Sequence, residues 1–199
     1  MTKRIDLWAE ERLRLSEARS REELRADIVR ASCLEGDFRL AEGLSSPYYF
    51  DKYMFETRPA VLRRVARLLA PLVGPGTERL ATQAPGALAL GVAVSLETGL
   101  PLVILRPTAG EDRRISVEGE LYEGEHVALV EDVVVTGSRA LQGVRRLREA
   151  QVEVVAVIAV VDREHGASRR LEEEGVECRR LFTSAELGIV EQPSGTGGS

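Results

Sequence analysis

Glu131 and Asp132 close an almost wholly apolar run, and the chain then turns through Thr136, Gly137 and Ser138 into a segment with helical spacing. Adjacent carboxylates at the end of a buried strand repel each other and are costly to strip of water. They make sense facing a partner such as sugar hydroxyls or Mg2+, which prefers oxygen ligands. A tight turn into a helix offers unpaired N–H groups and the positive end of the helix dipole to an anion. Thr136 and Ser138 add hydroxyl donors, and Gly137 lets the backbone come close. Acids for a ribose beside a loop for a phosphate describe a phosphorylated sugar. A plainer arrangement is equally open from these residues, with Ser138 capping the helix and the acids solvated. The phosphate loop GxxxxGK[ST] is excluded, since its Lys and glycine spacing are missing.

The elements that must position these residues are legible as a pattern. Residues 1–20 form a charge-rich amphipathic lead-in, with Trp8 on a packing stripe. Ser20 and Glu23 form a capping box for a helix carrying Leu24, Ile28 and Ala31. "GDFRLAEGLSSPYYFDKY" has the punctuation of short strands and turns. Pro59 opens a helix with Val61, Leu62, Val65, Leu68 and Leu69 on one face. A short strand "RLAT", a buried helix closed by Gly99 and the apolar strand "LPLVIL" follow, the last expected to be buried on both faces. Residues 106–120 show neither period and read as a long functional loop. Strand "HVALVE", helix "SRALQGVRRLREA", strand "VEVVAVIAVV", helix "ASRRLEEEG" and strand "VECRRLF" complete the order before a Gly/Ser-rich tail.

This alternation predicts an α/β fold with a doubly wound, mainly parallel sheet. Ligands in such sheets sit beyond the carboxyl ends of the strands. The acids with their turn, the segment starting at Arg106, and "DRE" at 162–164 all fall at such ends.

Composition narrows the function classes. A net charge of −5 gives no global attraction to nucleic acid or to an anionic membrane. The clusters "LRRVAR" and "VRRLRE" read as solvated helix faces. Cys33 and Cys178 lie far apart, with no CxxC or Cys/His cluster, so no metal ligand set is expected and a reduced, cytoplasmic setting is the simpler reading. The N-terminus is too charged for a signal peptide, and no apolar run approaches membrane-spanning length. His126 and His165 have no Ser or Cys partner in sequence context. Lys52, one of only two lysines, either approaches a ligand or forms a surface ion pair.

"VALVEDVVVTGSRA" resembles the phosphoribosyl-pyrophosphate (PRPP) signature of type I phosphoribosyltransferases. "GDFRLAEGLSSPYYFDKY" resembles the substrate hood of the orotate phosphoribosyltransferases, and "VVAVIAVVDREHGASRRLEEEGVECRRLFTSAEL" is similar to that family's C-terminal third. The likeness runs from about residue 24 to 188. It implies a small hood at 21–58, a phosphoribosyltransferase core at 59–188 and a tail at 189–199. The implied reaction is transfer of ribose 5-phosphate from PRPP to orotate, giving orotidine 5′-monophosphate and pyrophosphate, with Mg2+, in pyrimidine biosynthesis by a homodimer. Carried over by residue, Glu131 and Asp132 hold the ribose hydroxyls. Thr136, Gly137, Ser138 and the backbone at Arg139 hold the 5-phosphate. Gly86 matches the pyrophosphate turn, and Arg106 the arginine that opens the catalytic loop. Arg163 matches an orotate contact, and Tyr49 and Phe50 match hood aromatics near the base.

The chain also departs from that pattern. The family's loop reads Arg-Lys-x-x-Lys-x-His-Gly before "IEG", whereas here it reads "RPTAGEDRRISVEG", with Pro107 and Gly110 at the lysine positions. Val135 stands in place of a threonine, Arg139 in place of a small residue, and Ala41 and Glu42 where many members have Lys and Ser. Two expectations follow: an active transferase for orotate or another base, or a relative that holds PRPP or a nucleotide without efficient turnover.

Overall fold

The computed structural model describes residues 20–39, 45–108 and 115–189, with the main chain alone at 33–39 and 45–49. Helix α1 (20–32) leads into an antiparallel pair, β1 (Cys33–Arg39) and β2 (Ser45–Phe50), that forms the small N-terminal layer. Ser20 is already inside this helix, and the lead-in, Ala41, Glu42 and the tail beyond 189 lie outside the described residues. A short helix, α2 (Tyr53–Glu56), then turns the chain into α3 (Pro59–Val73), where proline at the first helical position has no N–H to leave unpaired.

The main sheet has the strand order β5-β4-β3-β6-β7-β8. It comprises β3 (Arg79–Gln83), β4 (Leu102–Pro107), β5 (Ile115–Glu118), β6 (His126–Val134), β7 (Glu153–Asp162) and β8 (Glu177–Thr183). Every pairing is parallel except β4 with β5. Helices α4 (Leu88–Thr98), α5 (Ser138–Glu149) and α6 (Ala167–Glu173) supply the crossovers. The expected doubly wound α/β architecture is therefore present. Alternation along the strands sends Leu80, Ala128, Val130 and Ile158 into one core with α1, α3 and α4. Ala81, Leu129, Val157 and Ala159 face a second core beneath α5 and α6.

Three local expectations change. The run "LPLVIL" is buried on alternate residues rather than throughout, because β4 lies one strand from the edge. The segment read as a long loop contains β5, which returns antiparallel to β4 with Arg106 opposite Ser116. Strand β6 continues through Val134, so Glu131 and Asp132 lie inside the strand and not at its end. The arginine clusters are held locally: Arg64 pairs with Asp27, and Arg145 reaches Glu174 at 2.6 Å. Among the described residues no helix is long and apolar enough to cross a membrane.

Candidate functional site

The chain passes to β4 on one side of β3 and to β6 on the other, so β3 and β6 flank the point where the winding reverses. That reversal leaves a crevice beyond the carboxyl ends of the two strands. A cavity of about 340 Å³ opens there, lined by Phe50, Lys52, the continuous stretch Glu131–Ala140, and Arg163. A neighbouring cavity of about 450 Å³ lies along Gln83–Pro85, Leu105, Pro107, Thr108 and Ile115, and Arg139 borders both.

The paired acids are buried, Glu131 at 3% exposure and Asp132 at 2%. Asp132 is satisfied within the chain: one oxygen takes the ammonium of Lys52 and the other accepts the Val133 N–H at 2.6 Å. Glu131 Oε1 is buried without a hydrogen-bond partner among the described residues. Burial, and then the neighbouring Asp132 charge, push the Glu131 carboxyl up to about 8 against the opposing pull of Arg139 and Lys52. An orphaned, desolvated acceptor beside an open cavity is a group waiting for a donor. Lys52 therefore ion-pairs, but with a buried acid of the crevice and not at the surface.

A third carboxyl escaped the sequence reading. Glu56, at the end of α2, is 4% exposed and faces the same cluster. Burial, then the Asp132 charge and a hydrogen bond shared with Asp132, raise it to about 8. Its spacing from Lys52 is that of neighbours on one helical turn, which was the available signal. Only the fold brings β6 against that turn.

The turn after β6 is built for close approach. Gly137 has φ +76°, and a Cβ there would sit 3.1 Å from Ala167 Cα of α6, so both conformation and space require glycine. Gly137 is the cap residue of α5, and no side chain caps that helix. This overturns the plainer arrangement in which Ser138 caps: its hydroxyl instead lies 3.1 Å from Thr136 Oγ1 and accepts from Arg170 Nη1 at 2.6 Å. The first N–H groups of α5 remain for a ligand. Arg170, from α6, is a cation at this turn that no sequence motif singled out.

Arg139 lies one residue further on. Its Nε donates to Gln83 Oε1 at 3.0 Å, while Gln83 Nε2 donates to the Arg139 carbonyl at 2.8 Å. Gly86 lies in the turn between β3 and α4, just after the cis Ala84–Pro85 bond. Arg163 follows β7; its main-chain N–H binds Val134 O at 2.9 Å, and its guanidinium stands 5.9 Å from the centre of the Phe50 ring. The acids flanking Arg163 are structural. Asp162 accepts from the Glu164 N–H and Ser168 Oγ, and Glu164 binds Ser184 Oγ and the Ala185 N–H. Arg106 stands apart on the β4–β5 ladder, paired with Glu118 Oε1 at 3.2 Å. Tyr49 lies in β2 opposite Leu34, with its side chain outside the described residues. His126 lies at the surface with its ring nitrogens 3.1 Å from Glu78 and 3.3 Å from Glu153, and it does not line the crevice.

Among the described residues no group of three His, Cys, Asp or Glu side chains could hold a metal ion. With both Asp132 oxygens engaged, the donor set fits a Mg2+ carried on substrate oxygens better than one caged by the protein.

No family model matches the chain. It is 43% identical over 153 residues to an orotate phosphoribosyltransferase of Methanocella arvoryzae, an alignment covering 76% of this chain and 87% of the relative. Orotate phosphoribosyltransferase of Mycobacterium tuberculosis, solved with Fe(III) dicitrate, superposes with a TM-score of 0.75 at 29% identity, over 85% of this chain and 99% of that one. The same protein in complex with 5-phospho-α-D-ribosyl 1-diphosphate gives a TM-score of 0.73 at 28% identity and the same coverage.

Proposed function

As the chain belongs to the orotate phosphoribosyltransferase family, we propose that it transfers ribose 5-phosphate from PRPP to orotate, releasing pyrophosphate and forming orotidine 5′-monophosphate. The observation that carries this reading is the pair of buried acids lining one cavity with the Thr136–Ser138 turn at the reversal point of the sheet. Glu131 and Asp132 take the ribose hydroxyls, which supply the donor that Glu131 Oε1 lacks. The Thr136 and Ser138 hydroxyls, Gly137 and the α5 N–H groups receive the 5-phosphate, with Arg170 beside them. Phe50 and Arg163 form the wall for the planar base, with Tyr49 on the same hood strand.

The transition state has oxocarbenium character, so little covalent chemistry is asked of the side chains. Holding base and ribose in line, and neutralising the departing diphosphate, supply the acceleration. Mg2+ on the diphosphate contributes to that neutralisation when bound. The carboxylate charge of the acid cluster also favours the positive charge that develops on the ribose. Arg106 takes part if ligand binding draws it from Glu118. The hood at 21–58 and the core at 59–188 work as one unit, in a homodimer within the cytoplasm.

The test is continuous detection of pyrophosphate on mixing protein, PRPP, orotate and Mg2+. Release that requires both substrates supports the reading. PRPP binding by calorimetry with no release, even at high protein concentration, would instead leave a binding protein.

A further inference from the structure

Lys52, Arg139 and Arg163 line the crevice, yet each of these side chains is directed away from the phosphate turn. Lys52 is held by Asp132, and the Arg163 guanidinium stands by the Phe50 ring. Arg139 donates to Gln83 Oε1 at 3.0 Å, and its Nη2 lies 2.9 Å from the point where a Cβ on Gly86 would stand, beside the turn that the resemblance gives to pyrophosphate. A cation from another element reaches the phosphate turn itself: Arg170 Nη1 donates to Ser138 Oγ at 2.6 Å. Among the described residues no carboxylate pairs with Arg170, so its charge meets a neutral hydroxyl. Its base is fixed. Ala167, one helical turn earlier, is fully buried, with its Cα 3.1 Å from the Cβ position of Gly137. Ser168 Oγ donates to Asp162 Oδ2 at 2.6 Å.

We infer that Arg170 binds the 5-phosphate directly, and that through it the turn distinguishes a doubly charged phosphate ester from a singly charged ester. The inference rests on the proposed use of PRPP and deepens it. The other donors at the turn are hydroxyls and main-chain N–H groups. A helix terminus carries about half an elementary charge, whereas a phosphate monoester carries about 1.5 to 2 at neutral pH. The guanidinium brings a full charge and a planar fork of donors to that anion. One N–H of the fork keeps Ser138 Oγ, which leaves the Ser138 proton free to point at the phosphate, while the remaining N–H groups donate to phosphate oxygens. A hydroxyl that accepts from a cation is also the stronger donor. The buried, unpartnered Glu131 Oε1 lines the same cavity, so the ribose hydroxyls and the 5-phosphate of one ligand are addressed together.

The experiment is calorimetric titration of ribose 5-phosphate, ribose 5-sulfate and inorganic pyrophosphate, each separately, into wild type, Arg170→Gln, Arg170→Lys, Ser138→Ala and the double variant Arg170→Gln/Ser138→Ala. The wild type is expected to prefer the phosphate ester over the sulfate ester by about tenfold or more. Arg170→Gln should weaken ribose 5-phosphate by about tenfold and ribose 5-sulfate by less, so the preference narrows, and Arg170→Lys should recover part of the loss. Pyrophosphate affinity should stay within about threefold in Arg170→Gln. The loss should persist in the Ser138→Ala background, because the contact with phosphate is direct. Ribose 5-phosphate binding unchanged in Arg170→Gln overturns the inference and leaves the PRPP reading standing. So does equal weakening of the two esters, equal weakening of pyrophosphate, or a loss that vanishes in the Ser138→Ala background, where Arg170 would only be holding Ser138. If the wild type binds neither ribose 5-phosphate nor PRPP, the PRPP reading itself falls and the inference falls with it.

Discussion

Gln83 and Arg139 clasp each other through two hydrogen bonds, amide to carbonyl at 2.8 Å and guanidinium to amide oxygen at 3.0 Å, joining the end of β3 to the start of α5. The clasp crosses the crevice where the strand order reverses, so it sets both the width of the ligand gap and the aim of the arginine. It also explains an oddity of α5. Glycine inside a helix costs about 1 kcal/mol relative to alanine, yet Gly143 sits in the middle of this one. A Cβ there would lie 2.2 Å from Gln83 Nε2 and 3.1 Å from Leu129 Cδ2.

Gly143→Ala should therefore lose more from crowding than it gains in helix propensity. Overpacking a buried contact costs about 1–3 kcal/mol. A net loss of about 1–2 kcal/mol is expected, read as a fall in Tm of roughly 3–6 °C by calorimetry. Pyrophosphate affinity should fall with it, because the Gln83 amide can no longer hold Arg139. A more stable protein with unchanged pyrophosphate binding would show that the clasp does not position the arginine.

Asp132→Asn tests the acid that has two partners. Asparagine accepts from only one of Lys52 and the Val133 N–H and turns its NH2 towards the other, so Tm should fall by a few degrees. Without the charge, hydrogen bonds to ribose hydroxyls weaken and Lys52 loses its counter-ion. Charge-assisted bonds contribute about 1.5–3 kcal/mol each, so PRPP affinity measured by calorimetry should drop about 100-fold. Unaltered PRPP binding in this variant would mean the sugar sits elsewhere.

Much of this crevice can be read from the sequence, and what cannot is physically explicable. Glu131, Asp132, Thr136, Gly137 and Ser138 stand out by type and spacing, Phe50, Arg139 and Arg163 by the family resemblance, and all eight line one cavity. The alternation of strands and helices was visible because buried parallel strands are apolar and crossover helices are amphipathic. Strand β5 was not, since the alternation of Ile115–Glu118 runs for only four residues beside a loop without period, and the strand depends on β4 for its pairing. Glu56 and Arg170 have no local signal as members of the site, and the two readings of Lys52 stay open, for a related reason. Each belongs through a contact across the fold, such as Lys52 to Asp132 eighty positions away, and no local pattern records where two layers meet.

Glu56 makes stability depend on pH in a predictable direction. Its ordinary value of 4.5 rises to about 8 in the folded protein. Below about pH 4.5 it is protonated whether folded or unfolded. Between 4.5 and 8 the unfolded chain releases a proton that the folded chain keeps, so the fold loses stability steadily as pH rises. Above about 8 the loss is complete. Glu56→Gln removes this dependence, so its Tm relative to wild type should climb from pH 5 to pH 8, by roughly 3–6 °C if one to two kcal/mol are involved. A difference that stays flat across the range would show that Glu56 is ionised throughout.

Arg163 offers a separation of the two substrates. Its main chain is tied to Val134 O and accepts from Ser184 Oγ, so the loop after β7 is held whatever the side chain does. The guanidinium stands 5.9 Å from the centre of the Phe50 ring, and both residues line the cavity. Arg163→Lys keeps the charge but loses the planar fork that matches a carboxylate and an aromatic plane. The KM for orotate should rise about tenfold, a loss near 1.4 kcal/mol, while the KM for PRPP stays within twofold. Replacing Phe50 by Leu should act in the same sense and more weakly, since it removes the ring but keeps the apolar wall. A shift in the PRPP constant with the orotate constant unmoved would place the base elsewhere and return Arg163 to the phosphate side of the crevice.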